Sequence, residues 1–260
     1  MRTLIKLGGT LLDDPESRKR LAGEITAFAA RTGHQTVVVH GGGKQMTRFL
    51  AERGVESRFI NGLRVTTPEV IDAVLKVFAG SVNHELVSVL VAAGAKAVGL
   101  SGIDAALVEA EPLGGEYGAV GKPLRTNPEV LEVLCAAGFL PVVACIGGDR
   151  SGNVYNINAD QMAVACAAGF RAERLFFLTD VDGVRDASGQ TAADLDPSQI
   201  AKLIKDGVAT GGMQAKLEAA RKALADGVTQ VVIGPGAMPG ILEQLANNEL
   251  VGTKITDVVR

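Results

Sequence analysis

Short runs of continuously apolar residues alternate along this chain with longer segments in which apolar positions recur every three or four residues. Residues 3–7, 35–40, 95–100, 140–146, 174–179 and 230–233 are β-branched or leucine-rich and read as strands. Residues 16–31, 45–53, 68–93, 128–137, 159–168, 197–206 and 213–226 carry the helical period. Strands that are apolar at every position, rather than at every second one, are buried on both faces, which requires a largely parallel sheet covered by helices. The predicted fold is a three-layer α/β/α sandwich around a mainly parallel sheet. Thr67 before Pro68 and Asp196 before Pro197 mark two helix starts, each a capping side chain followed by a residue suited to the first turn.

No internal repeat or low-complexity linker divides the chain, and its length allows one large α/β domain or two lobes. The preferred division falls near 169–172, giving an N-terminal lobe 1–170 and a C-terminal lobe 171–260. Within 58–66, Asn61-Gly62 lies between extended residues, a hairpin signal, and a hairpin there is placed to act as a flap over a site. Gly114, Gly115 and Gly118 make 102–122 read as an irregular, partly hairpin insertion. Val70, Ile71, Val74, Leu75, Val77 and Phe78 give 68–93 an apolar face wider than one core-facing stripe requires. That helix is either a subunit interface or buried between the sheet and neighbouring helices.

Composition narrows the partners. The formal net charge is −3 with no dense run of Lys or Arg, which argues against a nucleic-acid partner. Hydrophobic residues make up 47%, yet no uninterrupted apolar stretch reaches the roughly 18 residues of a membrane span. A soluble protein is expected, with no membrane partner. Met1-Arg2-Thr3 runs directly into a strand carrying Lys6, which leaves no room for a signal peptide, and a cytoplasmic location is expected. Cys135, Cys145 and Cys166 sit among apolar neighbours without metal-ligand spacing and read as buried, reduced thiols.

The candidate chemistry lies in glycine-rich stretches at strand ends. Lys6-Leu7-Gly8-Gly9 and Gly211-Gly212-Met213-Gln214-Ala215-Lys216 each set a lysine beside paired glycines, and His40-Gly41-Gly42-Gly43 ends an apolar run. Residues without a Cβ let backbone N–H groups approach an anion, so these stretches point to phosphate handling. Gly43-Lys44-Gln45 lacks the spacing and the Ser or Thr of a P-loop, and 234–240 departs from the dinucleotide fingerprint. Asn156, Asn158 and Asp160 precede an apolar helix. They read either as capping groups or, for Asp160, as a carboxylate holding two lysines in place.

These stretches, with Asn61-Gly62-Leu63-Arg64-Val65-Thr66 and Leu178-Thr179-Asp180-Val181-Asp182-Gly183-Val184, occur in the order found in the amino acid kinase family, which the chain resembles over nearly its entire length. The Asn-Gly-Leu-Arg-Val-Thr stretch resembles the branch acting on N-acetyl-L-glutamate. The resemblance implies phosphorylation of that substrate's side-chain carboxylate by ATP with Mg²⁺, giving N-acetyl-L-glutamyl 5-phosphate for arginine biosynthesis. It implies that Lys6 and Lys216 stabilise the transferring phosphoryl group, that Asp160 orients them, and that the N–H groups of Gly8, Gly9 and Gly42 add donors. It assigns the substrate to Gly42, Gly43, Arg64 and Asn156. It assigns the nucleotide to Gly8, Gly9, Thr179, Asp180, Gly183, Val184, Thr210, Gly211 and Gly212, with no metal ligand from the protein. Asp180 and Asp182 also read as turn formers, Arg64 as a flap salt bridge, and His34, His40 and His84 as structural or exposed.

Some positions depart from the family. Lys44 follows the triple glycine where many relatives carry Pro or an uncharged residue; it either faces solvent or adds a cation near the substrate. The first strand begins almost at Met1, whereas arginine-inhibited hexameric relatives carry an extra N-terminal helix, so the resemblance implies a homodimer insensitive to arginine. A regulatory protein docking on the second lobe stays open. Two other readings also stand: a kinase acting on carrier-protein-bound aminoadipate or glutamate in lysine biosynthesis, and a catalytically silent sensor of amino acids or nucleotides.

Overall fold

A computed structural model describes residues 1–257. The chain opens with Arg2–Leu7 (β1), Pro15–Ala29 (α1), Gln35–His40 (β2) and Gly43–Ala51 (α2). A hairpin of Phe59–Ile60 (β3) and Leu63–Arg64 (β4) follows. Pro68–Val74 (α3) then runs through a π-helical stretch, Leu75–Val82, into Asn83–Ala92 (α4). Next come Ala97–Ser101 (β5), Val108–Pro112 (β6), Val120–Thr126 (β7), Glu129–Ala136 (α5), Leu140–Ala144 (β8), Ile146–Gly148 (β9), Val154–Ile157 (β10) and Ala159–Gly169 (α6). The rest comprises Arg174–Thr179 (β11), Asp194–Leu195 (β12), Pro197–Lys205 (α7), Gly211–Ala225 (α8), Gln230–Pro235 (β13), Ile241–Ala246 (α9) and Thr253–Ile255 (β14).

Eight strands form one sheet in the order β12-β14-β13-β11-β1-β2-β8-β5. Every pair in it is parallel except β13 with β14. The apolar runs behave as their pattern requires: Leu4, Ile5 and Leu7, Val37 to Val39, and Leu175 to Leu178 are buried on both faces. Helices α6 and α8 pack together on one face, and α1, α4 and α9 on the other. The sheet crosses the expected lobe boundary without a break, because β1 pairs with β11 from Thr3 opposite Arg174 to Leu7 opposite Leu178.

Local signals explain several element starts. Thr67 accepts from the Val70 N–H at 3.3 Å, and Asp196 forms a capping box with Gln199. Asn61 and Gly62 both take positive φ, 49° and 77°, as a two-residue hairpin turn demands. Two expectations need correction. The strand read over 140–146 stops at Ala144: the Cys145 carbonyl accepts from the Ile157 N–H, and the chain leaves the main sheet into β9. The insertion read as irregular and partly hairpin does contain a hairpin, β6 paired antiparallel with β7, but is more ordered than expected, since both strands join β9 and β10 in a small closed barrel.

By length and composition the helix Pro68–Ala92 could cross a membrane, although 39% of its apolar window is buried within the fold. Arg18 of α1 ion-pairs with its Glu85, and Leu86 and Leu90 are fully buried. All three cysteines are buried and free; burial pushes each thiol up to about 12, far from thiolate chemistry at neutral pH.

Candidate active site

The C-terminal ends of β1, β2 and β11 converge with the starts of α2, α6 and α8. Lys6, the penultimate residue of β1, brings Nζ to 2.7 Å from Asp160 Oδ1, and Lys216 in α8 donates to Asp160 Oδ2 at 3.0 Å. Asn158 resolves the ambiguity over capping. Its Oδ1 accepts from the N–H groups of Asp160 and Gln161, which leaves the Asp160 carboxylate free for the two lysines. Burial pushes the Asp160 carboxyl up, but the ammonium groups of Lys6 and then Lys216 outweigh it and hold the carboxyl below its usual range. Two cations share one anion in a site where Lys6 and Asp160 side chains are each 8% exposed. The surplus positive charge has little water to screen it and favours an anionic ligand.

Glycines line the adjoining turn. A Cβ on Gly9 would lie 3.3 Å from the Gly43 nitrogen and 3.8 Å from the Gly42 nitrogen, so its absence keeps open the space those amides border. Gly8 departs from expectation. Its N–H extends the β1–β11 ladder by donating to the Leu178 carbonyl at 2.9 Å, so it is not a free donor for phosphate. Gly8 instead permits close approach to β11, where a Cβ would meet that carbonyl oxygen at 3.2 Å.

Arg64 and Asn156 lie against the same wall. Arg64 Nη2 donates to the Gly43 carbonyl at 3.0 Å and to Thr47 Oγ1 at 2.8 Å, Nη1 bonds Ser57, and the guanidinium carbon stacks 4.6 Å from the Phe59 ring centre. No flap salt bridge holds it among the described residues. Desolvation lowers its basicity, but guanidinium stays charged. Both hydrogens of Nη2 are engaged, and each bidentate edge of the group includes Nη2. A bidentate carboxylate therefore has to displace Thr47 or Gly43. Asn156 donates to Thr66 Oγ1 at 3.0 Å, tying β10 to the residue that follows the flap.

Thr47, Ser57, Phe59 and Thr66 are supporting residues absent from the sequence-based set. Two had a signal: a two-residue Asn-Gly turn fixes Phe59 opposite Arg64, and Thr47 lies one helical turn beyond Gly43.

On the opposite side the loop after β11 carries the residues expected at a nucleotide. Thr179 donates to Asp180 Oδ1 at 3.0 Å, and Asp180 and Asp182 are exposed. Val184 is wholly buried and its N–H donates to Thr253 Oγ1 at 2.8 Å, so it anchors the loop from behind. Gly183 has φ +151°, and a Cβ there would lie 2.7 Å from both Thr191 Cγ2 and Thr253 Oγ1. Thr210 precedes α8 without capping it through its side chain, unlike Asn158 on α6, which leaves first-turn N–H groups at Gly211 and Gly212 for an anion. Lys44 is exposed on α2.

A cavity of ≈ 1220 Å³ opens beside Asp160, Lys216, Gly211 and Gly212 and runs between β7 and α8, with Asn61 and Gly62 of the flap at its edge. Gly42, Gly43, Arg64 and Asn156 do not line it. Among the described residues no group of three or more His, Cys, Asp or Glu is placed to hold a metal.

Fold and site together define the class: the chain belongs to the amino acid kinase family, whose model matches residues 1–235. It is 61% identical over 255 residues to the acetylglutamate kinase of Solibacter usitatus (strain Ellin6076), covering 98% of this chain and 99% of that one. Among solved structures, smu.665 from Streptococcus mutans UA159 superposes with a TM-score of 0.85 at 31% identity, covering 99% of each chain. N-acetylglutamate synthase from Neisseria gonorrhoeae, complexed with coenzyme A and N-acetyl-glutamate, superposes with a TM-score of 0.88 at 25% identity; all of this chain is covered, but only 60% of the synthase.

Proposed function

We propose that the protein transfers the terminal phosphoryl group of ATP to the side-chain carboxylate of N-acetyl-L-glutamate, as in arginine biosynthesis. The observation that carries the reading is the pair of lysines held on Asp160 within a glycine-lined turn. Phosphoryl transfer depends mainly on positioning and on stabilising charge spread over the equatorial oxygens, and Lys6 and Lys216 provide two ammonium groups for it. Asp160 fixes their separation and stays back from the reacting atoms, since each of its oxygens already faces a lysine. The N–H groups of Gly9 and Gly42 add neutral donors. The Gly42–Gly43 turn, Arg64 and Asn156 hold the acceptor, Arg64 taking the α-carboxylate by exchange with Thr47, and Asn156 the acetamido group.

The acceptor carboxylate has a reference pKa near 4.3 and is already ionised at neutral pH, so no general base is required. When bound, ATP supplies the phosphoryl group and Mg²⁺ neutralises its phosphates. Thr179, Asp180, Gly183 and the Thr210–Gly212 turn hold the nucleotide, with Val184 as their support. The cleft lies between an N-terminal lobe, 1–170, and a C-terminal lobe, 171–260, in a cytoplasmic homodimer. The long helix with exposed Leu75 and Val91, next to the free edge of β5, is the subunit face.

The test is a Mg²⁺- and ATP-dependent assay trapping acyl phosphate with hydroxylamine, offering N-acetyl-L-glutamate, glutamate, aspartate and N-acetylaminoadipate in parallel. Strong preference for N-acetyl-L-glutamate is expected. Another preferred acceptor reassigns the pocket around Arg64 and Asn156, and no hydroxamate with any acceptor points to a carrier-bound substrate or a sensor. Light scattering tests the homodimer.

A further inference from the structure

His40 ends β2 wholly buried, directly before the glycine turn. Its Nδ1 lies 2.8 Å from the Gly41 carbonyl oxygen and its Nε2 lies 2.9 Å from Asn83 Nδ2. The same Asn83 nitrogen lies 2.9 Å from the Val142 carbonyl. These contacts fix every proton. Both carbonyl oxygens can only accept, so Nδ1 of His40 carries hydrogen and the Asn83 atom is its NH₂ group. Nε2 is then the bare acceptor of a neutral imidazole. That is consistent with burial lowering the His40 pKa to about 4, and a second ring proton would point at the Asn83 NH₂.

The carbonyl and the N–H of a trans peptide point in opposite directions. Holding the Gly41 oxygen against the imidazole therefore turns the Gly42 N–H away from it, and the Gly42 nitrogen borders the space left open by Gly9, 3.8 Å from where a Cβ there would lie. Gly42 is braced on its other side: a Cβ there would lie 3.0 Å from Phe78 and 3.2 Å from Val82, both in the π-helical stretch. Asn83 begins the next turn of the same helix. It is held in turn by β5, where a Cβ on Gly99 would lie 2.1 Å from Asn83 Oδ1.

We propose that His40, locked by Asn83 as the Nδ1–H tautomer, is a positioning residue that aims the Gly42 N–H at the transferred phosphoryl group. The role rests on the function proposed above. The π-helical stretch is part of the device, because it places Phe78 and Val82 against Gly42 while leading into Asn83 against His40.

Two measurements test the proposal. The first is ¹⁵N NMR of histidine-labelled protein, which reads the tautomer directly and needs no turnover. One histidine should show protonated Nδ1 and bare Nε2 and stay neutral from about pH 5.5 to 8, although free imidazole in water favours the other tautomer. A buried histidine protonated at Nε2 overturns the proposal even if the enzyme is an acetylglutamate kinase.

The second is kinetic. His40→Leu removes the donor, whereas His40→Asn keeps an N–H where Nδ1 lies. His40→Leu should lower kcat by about 10- to 100-fold with the ATP KM nearly unchanged, approaching the 10²- to 10³-fold cost of deleting such a donor outright. His40→Asn should recover most of that loss, and Asn83→Leu should fall between them. Equal loss in both His40 variants, at matched circular dichroism, overturns the proposal. If His40→Leu does not fold, His40→Asn and Asn83→Leu decide it: kcat reduced more by His40→Asn than by Asn83→Leu contradicts the donor role.

Discussion

On the wall proposed to hold the acceptor, Arg64 is gripped by Gly43, Thr47, Ser57 and Phe59, and Asn156 by Thr66. On the wall proposed to hold the nucleotide, Asp180, Asp182, Thr210 and Gly211 are exposed, and the anchoring contacts of the loop after β11, Val184 and Gly183 against Thr253, lie behind it. The side proposed to hold the acceptor is thus tied by side-chain hydrogen bonds, while the side proposed to hold the nucleotide presents backbone and exposed polar groups on a tethered loop. Arg64 and Asn156 already commit donors to Gly43, Thr47 and Thr66, so an acceptor binds there by exchanging for those bonds, and a ligand that cannot replace them is disfavoured. Lys6, Asp160 and Lys216 join the walls, since Lys6 lies on β1 and Lys216 on α8 with one carboxylate between them.

The bridge gives the largest expected effect. Lys216→Ala should lower kcat by about 10³-fold, the upper range for removing one charge-stabilising donor, with both KM values within a few-fold. Steady-state kinetics at saturating substrates checks this, with circular dichroism to verify the fold. Unchanged turnover would remove Lys216 from the mechanism.

Arg64→Ala separates the walls. Losing a charge-assisted hydrogen bond of about 1.5–3 kcal/mol corresponds to a rise of about 10- to 150-fold in the acceptor KM. The ATP KM should hardly move. Equal rises in both would make Arg64 a structural brace of the flap.

The same contrast marks what could be read from sequence. The parallel sheet was legible because Leu4-Ile5, Val37-Val38-Val39 and Leu175-Phe176-Phe177-Leu178 are apolar without alternation. The barrel strands were not, because Glu109, Glu111, Lys122 and Arg125 interrupt them with charges that ion-pair on its exterior. The lysines and Asp160 were legible by type and order through family resemblance. The state of the Gly8 N–H was not, because its acceptor, Leu178, lies in a distant strand and only the register of β1 with β11 brings it near. His40 was read as structural for a related reason: its partner Asn83 is far along the chain, and no local motif announces the pair.

Gly183→Ala should perturb the proposed nucleotide wall alone. A Cβ at φ +151° placed 2.7 Å from two threonines must displace the loop, and overpacking of this kind costs about 1–3 kcal/mol. Urea denaturation should show that loss, and the ATP KM should rise several-fold with the acceptor KM unchanged. If the acceptor KM rose as much, the two walls would be one cooperative unit and the contrast between them would fail.

The smallest effect concerns the buried histidine of the ordered wall, and its sign follows from linkage. His40 has a folded-state pKa of about 4, below the unfolded value near 6.5. Between those values the unfolded chain binds the extra proton, so stability rises with pH there and is fully present only above the unfolded value. From about pH 7.5 down to pH 5.5, His40 should therefore cost the native state about 1 kcal/mol. His40→Asn carries no titrating ring, while His34, whose pKa is also lowered, contributes equally to both proteins. The difference in their urea-derived stabilities should therefore shrink by that amount, or reverse, as pH falls. Parallel pH profiles would mean that His40 takes up its proton as readily folded as unfolded, a result incompatible with a rigid Gly41–His40–Asn83 chain behind the substrate wall.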